Sequence, residues 1–435
     1  MRIVHITAGA GGRLCGSCLH DNALVRALQA RGCDAILVPA YVPTMTDEEN
    51  VSEHKIVFGG VNVWLQEHVP LFRYTPWFLD RLLDSHRLLE WLSRYTGSVR
   101  PADLGSLTVS TLKGEDGHQR KEVAKLTDWL TRNARPDIVH LSNVLLVGLA
   151  KRVREASGAK IVCSLSGEDI FIEQIPEPHY SAIRMLLRQR ASDIDHFVAL
   201  NHSFADFMAD YLNVPAAKIS TVPHGVDLAG FPPTPPDLIE RRRARGGKLV
   251  IGSLARVCPE KGLEQLVRAL AILVPHDNLE LVAAGATIAT ERAYLDQCHA
   301  TAAKLGVSER FHWLGQIDRP AKIRLLESID VFAMPTTHPE AKGIPMIEAF
   351  CAGVPVVAPA AGAFPESIAT NNPTGLLHAP GDPVDLARAI KSLLDDPQLA
   401  ATLGRNGYAH ARLHHTLDTM AVGHEEIYAR MMAKH

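Results

Sequence analysis

The stretch His338-Pro-Glu-Ala-Lys-Gly-Ile-Pro-Met-Ile-Glu-Ala-Phe-Cys-Ala-Gly-Val-Pro-Val-Val-Ala holds two glutamates, Glu340 and Glu348, with seven residues between them. The apolar run ending at Met334 reads as a strand, so Glu340 falls in the loop behind it and Glu348 in the first turns of the next helix. A carboxylate is a pure acceptor and can take two or more O–H donors. The open N–H groups of a helix start, helped by the helix dipole, suit phosphate oxygens. Gly343 lets the backbone come close to a ligand. Pro345 has no N–H, so the donors fall to its neighbours Ile344 and Met346. Hydroxyls on one side and phosphates on the other describe a sugar nucleotide. An acidic residue near a helix N-terminus is also common on electrostatic grounds alone. Two glutamates by themselves would carry little weight, and it is the whole string that turns the balance.

A second group is Arg256 and Lys261, in the loop Ala255-Arg-Val-Cys-Pro-Glu-Lys-Gly. Arg can hold one phosphate bidentately while Lys adds a point charge, which makes a diphosphate clamp. Seen alone, these are also ordinary exposed loop cations. A third is the loop Gly9 to Gly12 behind the first strand, whose Gly11 and Gly12 could bring backbone against the donor. It lacks the full dinucleotide pattern G-x-G-x-x-G and is weak as a lone motif.

These residues need rigid elements to position them, and the chain supplies two series. Ile3 to Thr7, Ala35 to Pro39, Asp137 to Leu141, Lys160 to Leu165 and His196 to Leu200 are continuous apolar runs with helical patterns between them. That is the signature of parallel strands buried on both faces. After the stiff connector Phe231-Pro-Pro-Thr-Pro-Pro-Asp, a second series begins at Leu249-Val-Ile-Gly-Ser-Leu. Its first helix carries Leu263, Leu266, Val267, Leu270 and Leu273 at helical spacing. Asp382-Pro383 reads as an N-cap with proline at the first helical position. The expected architecture is α/β, two doubly wound Rossmann-like domains facing across a cleft. The boundaries are 1–228, with an insertion over 44–130, then 229–410, and a terminal segment 411–435. The insertion holds four of the five tryptophans, Trp64, Trp77, Trp91 and Trp129, which read either as core packing or as an acceptor-binding wall.

The bulk numbers agree. A single core stops growing at roughly 250–300 residues, and the chain has 435. With 46% hydrophobic and 21% charged residues it is globular. A net charge of −3 leaves no basic stripe for nucleic acid. The dense basic run at Arg241, Arg242, Arg243 and Arg245 reads as a solvated linker or surface helix. No apolar run reaches the roughly 18–20 residues that span a bilayer, and the first residues read as a strand and not a leader. The expected location is cytoplasmic. Seven scattered cysteines make no disulfide framework.

The second half resembles the retaining glycosyltransferases of family four, which have the two-Rossmann-domain B fold. The resemblance rests on Gly252 to Gly262, Phe311-His-Trp-Leu-Gly, Asp330 to Pro335, Glu340 to Glu348, and Gly353 through Glu366. In the first half it rests on Pro223-His-Gly-Val-Asp227, similar to the family's Pro-Asn-Gly-Val-Asp. It covers most of residues 1–25 and 135–435. It implies that Glu340 binds hydroxyls of the transferred sugar, that Glu348 binds the nucleotide ribose, and that Arg256 and Lys261 neutralise the departing diphosphate. It implies no metal and no cofactor beyond the nucleotide-sugar co-substrate. The segment His414 to Met432 resembles the family's helix that returns to the first domain. The configuration at the sugar is retained, with the leaving phosphate taking the acceptor proton on the same face. Family frequency points to a uridine donor, and the acceptor would be a glycan or lipid-linked sugar. Peripheral contact with the inner membrane face through the tryptophan-bearing insertion fits such an acceptor. One departure stands out. Many relatives place a histidine behind the strand matching Lys160 to Leu165, where this chain has Ser166. Either Glu168 or Asp169 takes over part of that catalytic role, or the sugar pocket is built differently.

Three other features are given less weight. Asp193-Ile-Asp195 has the metal-holding Asp-x-Asp form but lies away from the donor motifs, and it reads as a helix-end surface feature. Cys15 and Cys18, with His20 nearby, fit packing, a redox pair or part of a metal site. The 21 histidines are scattered without metal-site spacing. A sugar-nucleotide epimerase or hydrolase, or a non-catalytic binder on the same scaffold, stands as the alternative function, since fold does not dictate activity.

Overall fold

Runs such as Ile138 to Leu141 and Leu249 to Leu254 are buried along their whole length in the computed structural model, as strands covered on both faces must be. The structure describes residues 1–9, 16–42, 44, 46, 48–53, 63, 66, 67, 101–273, 278–287, 291–369 and 371–433. The chain divides into two units, one of 1–225 with 417–435 and one of 226–416. Of the tryptophan-bearing insertion, Trp64, Trp77, Phe78 and Trp91 lie outside the described residues, as do Gly11, Gly12 and Cys15.

The first unit runs β1 (Arg2–Thr7), α1 (Gly16–Ala30), β2 (Asp34–Pro39), α2 (Gly105–Lys113), α3 (Arg120–Trp129), β3 (Ile138–Leu141), α4 (Ala150–Ser157), β4 (Lys160–Leu165), α5 (Asp169–Ile172), α6 (His179–Arg190), β5 (His196–Ala199), α7 (His202–Leu212) and β6 (Ile219–Thr221). Its six strands are parallel, in the order β2-β1-β3-β4-β5-β6. Asp193 ends a short helical turn, and Asp195 behind it is half-buried and structural. Its Oδ2 accepts the Ile161 N–H at 2.7 Å and faces Arg154 at 2.8 Å, tying the start of β4 to the approach of β5.

The second unit holds α8 (Leu238–Ala244), β7 (Leu249–Leu254), α9 (Leu263–Ile272), β8 (Leu279–Ala284), α10 (Arg292–Lys304), β9 (Phe311–Trp313), α11 (Arg319–Ser328), β10 (Val331–Ala333), α12 (Ile344–Cys351), β11 (Val356–Pro359), α13 (Phe364–Ile368), β12 (Gly375–His378), α14 (Pro383–Asp395) and α15 (Pro397–His414). The parallel sheet has the order β12-β11-β10-β7-β8-β9. α9 buries Leu263, Leu266, Val267 and Leu270 against it, each worth roughly 1.5–3 kcal/mol of burial. Asp382 caps α14 through the N–H groups of Val384 and Asp385 at 2.8 and 3.1 Å. The basic run lies on and just behind the surface helix α8, as one of its two readings had it, but two of its arginines reach other helices. Arg241 donates to the Ala352 carbonyl at the end of α12, and Arg242 reaches the Leu394 carbonyl near the end of α14 at 3.1 and 3.0 Å. Cations at helix C-termini meet unpaired carbonyls and the negative end of the dipole.

The last helix, α16 (Leu417–Met432), belongs to the first unit. Its Met420, Ala421, Ile427 and Tyr428 join the core formed by Ile3, Leu24, Leu28, Leu37 and Ile138. No helix of the described residues is long and apolar enough to cross a membrane.

Candidate functional site

In the second unit the strand order reverses between β7 and β10, so the loops behind these neighbouring strands leave in opposite directions and open a crevice at the carboxyl edge. The sequence places its candidate residues in these two loops. Arg256 and Lys261 follow β7; Glu340, Gly343 and the start of α12 follow β10. The loops are stitched together by backbone. The Glu260 carbonyl accepts the Thr337 N–H at 3.0 Å and the Thr336 hydroxyl at 2.8 Å.

Lys261 and Glu340 form a direct ion pair. Their side chains are partly covered, at 28% and 15% exposure, so the pair is shielded more than a surface contact would be. Glu340 is held from behind as well. The Ala363 N–H donates to its carbonyl at 2.8 Å, and at Gly362 (φ +60°) an added Cβ would lie 2.5 Å from the Glu340 nitrogen and 2.6 Å from its oxygen. Only glycine fits that turn. Arg256 faces Glu291 at 3.3 Å. Burial works against its charge, but the Cys258 sulfur and Glu291 outweigh burial and hold the guanidinium above its ordinary pKa. Burial pushes the Cys258 thiol up despite Arg256.

Gly343 sits at φ +61° ahead of α12, where its left-handed backbone lets the chain turn into the helix. The expected pair of donors beside Pro345 is reduced to one. The Met346 N–H folds back onto the Gly343 carbonyl at 2.9 Å, closing the first turn, and the Met346 side chain is buried in the core. The Ile344 N–H has no acceptor among the described residues. Glu348 lies one turn further along α12, 6% exposed as a residue, with its Oε1 2.6 Å from Lys322 Nζ of α11. Sequence reasoning missed Lys322, Glu291 and Gly362. Gly362 stood within the stretch that carried the resemblance, whereas the other two are set by packing alone.

The first unit holds Ser166, Glu168 and Asp169 behind β4. Glu168 is buried, and its loop occupies both carboxylate oxygens: the Ser166 hydroxyl donates to Oε1 at 2.7 Å and the Ser166 N–H to Oε2 at 3.1 Å. This shapes the loop and turns Glu168 inward. Asp169, the first residue of α5, is half-buried.

The histidines are not scattered in space. His5, His20, His140, His224 and His424, drawn from β1, α1, β3, the segment behind β6 and α16, gather in the interior of this unit. His5 and His140 have ring centroids 4.5 Å apart and His140 and His424 5.7 Å. His20 meets His224 at 2.8 Å, His140 contacts the Tyr428 hydroxyl at 2.7 Å and the Ser164 hydroxyl at 2.8 Å, and His5 faces Asp21 at 3.1 Å. Burial, and then the neighbouring rings, push His140 well below the ordinary histidine pKa, and burial takes His424 down to about 4. Among the described residues no group of three or more potential ligands could hold a metal. Cys18 is buried.

Comparison with known proteins agrees with this architecture. The profile of the glycosyl transferases group 1 matches residues 236–410, and that of glycosyltransferase family 4 matches residues 111–229. The lipopolysaccharide core biosynthesis mannosyltransferase LpcC of Rhizobium leguminosarum bv. viciae is 32% identical over 232 residues, which cover 52% of this chain and 63% of that protein. The chain thus spans just under two thirds of that relative's length. The GDP-mannose-dependent alpha-(1-6)-phosphatidylinositol monomannoside mannosyltransferase of Mycolicibacterium smegmatis is 31% identical over 271 residues, covering 60% of this chain and 67% of that one. Among solved structures, Anabaena Alr3699/HepE in complex with UDP matches 99% of this chain and all of its own, with a TM-score of 0.70 at 19% identity, a likeness of fold.

Proposed function

Because the chain belongs to the group 1 glycosyltransferases of family four, we propose that it moves a sugar from a nucleoside diphosphate donor to a hydroxyl acceptor, with retention of configuration and without a metal. The observation that carries this reading is the Lys261–Glu340 pair beside Arg256 at the strand-order reversal of the second unit. In the ligand-free protein each member neutralises the other. A diphosphate draws Lys261 and Arg256 onto its oxygens, and Glu340 is then released to accept hydroxyls of the sugar. As the sugar–phosphate bond breaks, negative charge grows on the departing diphosphate, where two fixed cations stabilise it without reorganising. The same phosphate takes the acceptor proton on its own face, so the new bond forms where the old one broke. Glu348 accepts the ribose hydroxyls.

The mannosyltransferase names of the two relatives, one of them GDP-mannose-dependent, favour GDP-mannose over the uridine donor expected from family frequency. Their names also support a glycan or lipid-linked acceptor. Reaching such an acceptor would bring the chain to the cytoplasmic face of a membrane as a peripheral protein.

A thermal-shift screen with UDP, GDP and ADP and their common sugars, with and without EDTA, tests the proposal. Binding to the native state alone stabilises by about 2.7 kcal/mol at a hundredfold excess over Kd. The expected result is a clear rise in Tm with GDP or GDP-mannose that EDTA leaves unchanged. A rise abolished by EDTA would overturn the metal-free clamp, and a larger rise with UDP would overturn the guanosine assignment.

A further inference from the structure

We infer that Lys322 is a positioning residue for donor recognition: it aims the Glu348 carboxylate by one oxygen so that the other accepts the ribose hydroxyls. The inference rests on the reading of Glu348 as the ribose acceptor.

Glu348 is a charge in an apolar setting. Its side chain is 8% exposed, and its helix neighbours Ile347 and Phe350 belong to the core. Moving a carboxylate out of water costs several kcal/mol. Lys322 Nζ lies 2.6 Å from Oε1, its own side chain only 14% exposed. The Lys322 backbone is fixed where α11 begins. Asp318 caps that helix through the Ala321 N–H at 2.8 Å, its carbonyl accepts the Lys322 N–H at 2.9 Å, and the adjacent Arg319 donates to the carbonyls of Asp227 and Ala229 at 2.7 and 3.0 Å.

A covered ion pair of this kind is a poor device for stability, because apolar side chains of similar volume usually do as well or better. It is a good device for keeping a carboxylate charged and aimed. With Oε1 held by Lys322, Oε2 takes no donor from the described residues. One carboxylate oxygen is thereby left for the ligand, in a rotamer set from the neighbouring helix. The pairing also explains how a glutamate inside a core helix can serve as a hydroxyl acceptor: without Lys322 nothing on the neighbouring helix would hold its carboxylate in place.

The test compares GDP with 2′-deoxy-GDP, and UDP with 2′-deoxy-UDP, by calorimetric titration of the full chain. The wild-type protein should prefer the ribose form by about tenfold, the scale of one hydrogen bond to a charged group. Lys322→Met should bring the ratio to about threefold or less, and Lys322→Arg, which keeps the charge, should restore most of it. Glu348→Gln should also lower it. A wild-type ratio in Lys322→Met, with the ratio lost in Glu348→Gln, overturns the positioning role and leaves Glu348 on the ribose. Wild-type ratios in both variants overturn the ribose assignment and the positioning role together. If Lys322→Met does not fold, Lys322→Gln keeps the stem, drops the charge and carries the same comparison.

Discussion

In the second unit three carboxylates each face a cation: Glu291 faces Arg256, Glu340 faces Lys261 and Glu348 faces Lys322. In the first, five buried histidines face mainly one another, with Asp21 and Tyr428 at the edges. The histidines are buried and the ion pairs are only partly so, with the Arg256 side chain 51% exposed, and the two clusters meet the cost of burial differently. The second unit sets opposite signs against each other, and such pairs can exchange partners when a charged ligand arrives. In the first, burial and neighbouring rings push His140 down, and burial pushes His424 down. Buried rings held below the ordinary histidine pKa have little to offer a diphosphate. The contrast separates a place built to exchange ionic partners from one built to remain closed.

The largest expected effect breaks the charged side of the comparison. Glu340→Ala should lower turnover by about 10²–10³-fold, the scale of losing one preorganised polar contact to a transition state, while the Tm rise with nucleoside diphosphate persists. Turnover equal to wild type would remove Glu340 from the sugar. The next effect tests the neutral side. His424 goes from an ordinary pKa of 6.5 to about 4 in the folded chain. Between those values the unfolded state binds a proton that the folded state refuses, so this contribution to stability is complete above pH 6.5 and is lost as pH falls toward 4. It amounts to about 3 kcal/mol at the acid end. Urea unfolding of His424→Leu at pH 7.5, 6 and 5 should show a shallower acid slope than the wild type. Identical slopes would mean that the cluster accepts the proton without penalty. The smallest effect sharpens the link between backbone and charge. Gly362→Ala should cost about 1–3 kcal/mol in stability and also lower turnover, because its Cβ would press on the Glu340 backbone. Gly381 also has a positive φ (+74°), with nothing within 4 Å of an added Cβ. Gly381→Ala should therefore cost stability with no loss of turnover. Equal turnover in the two variants would mean that Glu340 does not depend on the turn behind it.

Much of this was legible in the sequence because it is local. Unbroken apolar runs alternating with helical patterns demand doubly covered parallel strands, whatever the rest of the chain does. The stretch from Val331 to Cys351 carries its own strand, left-handed glycine, proline and helix, so the placement of Glu340 in a loop and Glu348 on a helix follows from neighbours in the chain. The Met346 N–H failed as an expected donor for an equally local reason, a tight first turn that periodicity does not resolve.

What only the tertiary structure decided is which distant groups meet. Lys322 and Glu291 are ordinary surface-helix residues by pattern, and they became ion-pair partners because α11 and the start of α10 pack beside the site. The arginine run read as a solvated linker or surface helix; it lies mostly on a surface helix, and Arg241 and Arg242 also reach the ends of α12 and α14. The histidines are spread from position 5 to position 424 and looked scattered, because no local period records a cluster assembled from five segments. Burial and low dielectric, which turn such neighbours into partners or hold them neutral, exist only once the chain has folded.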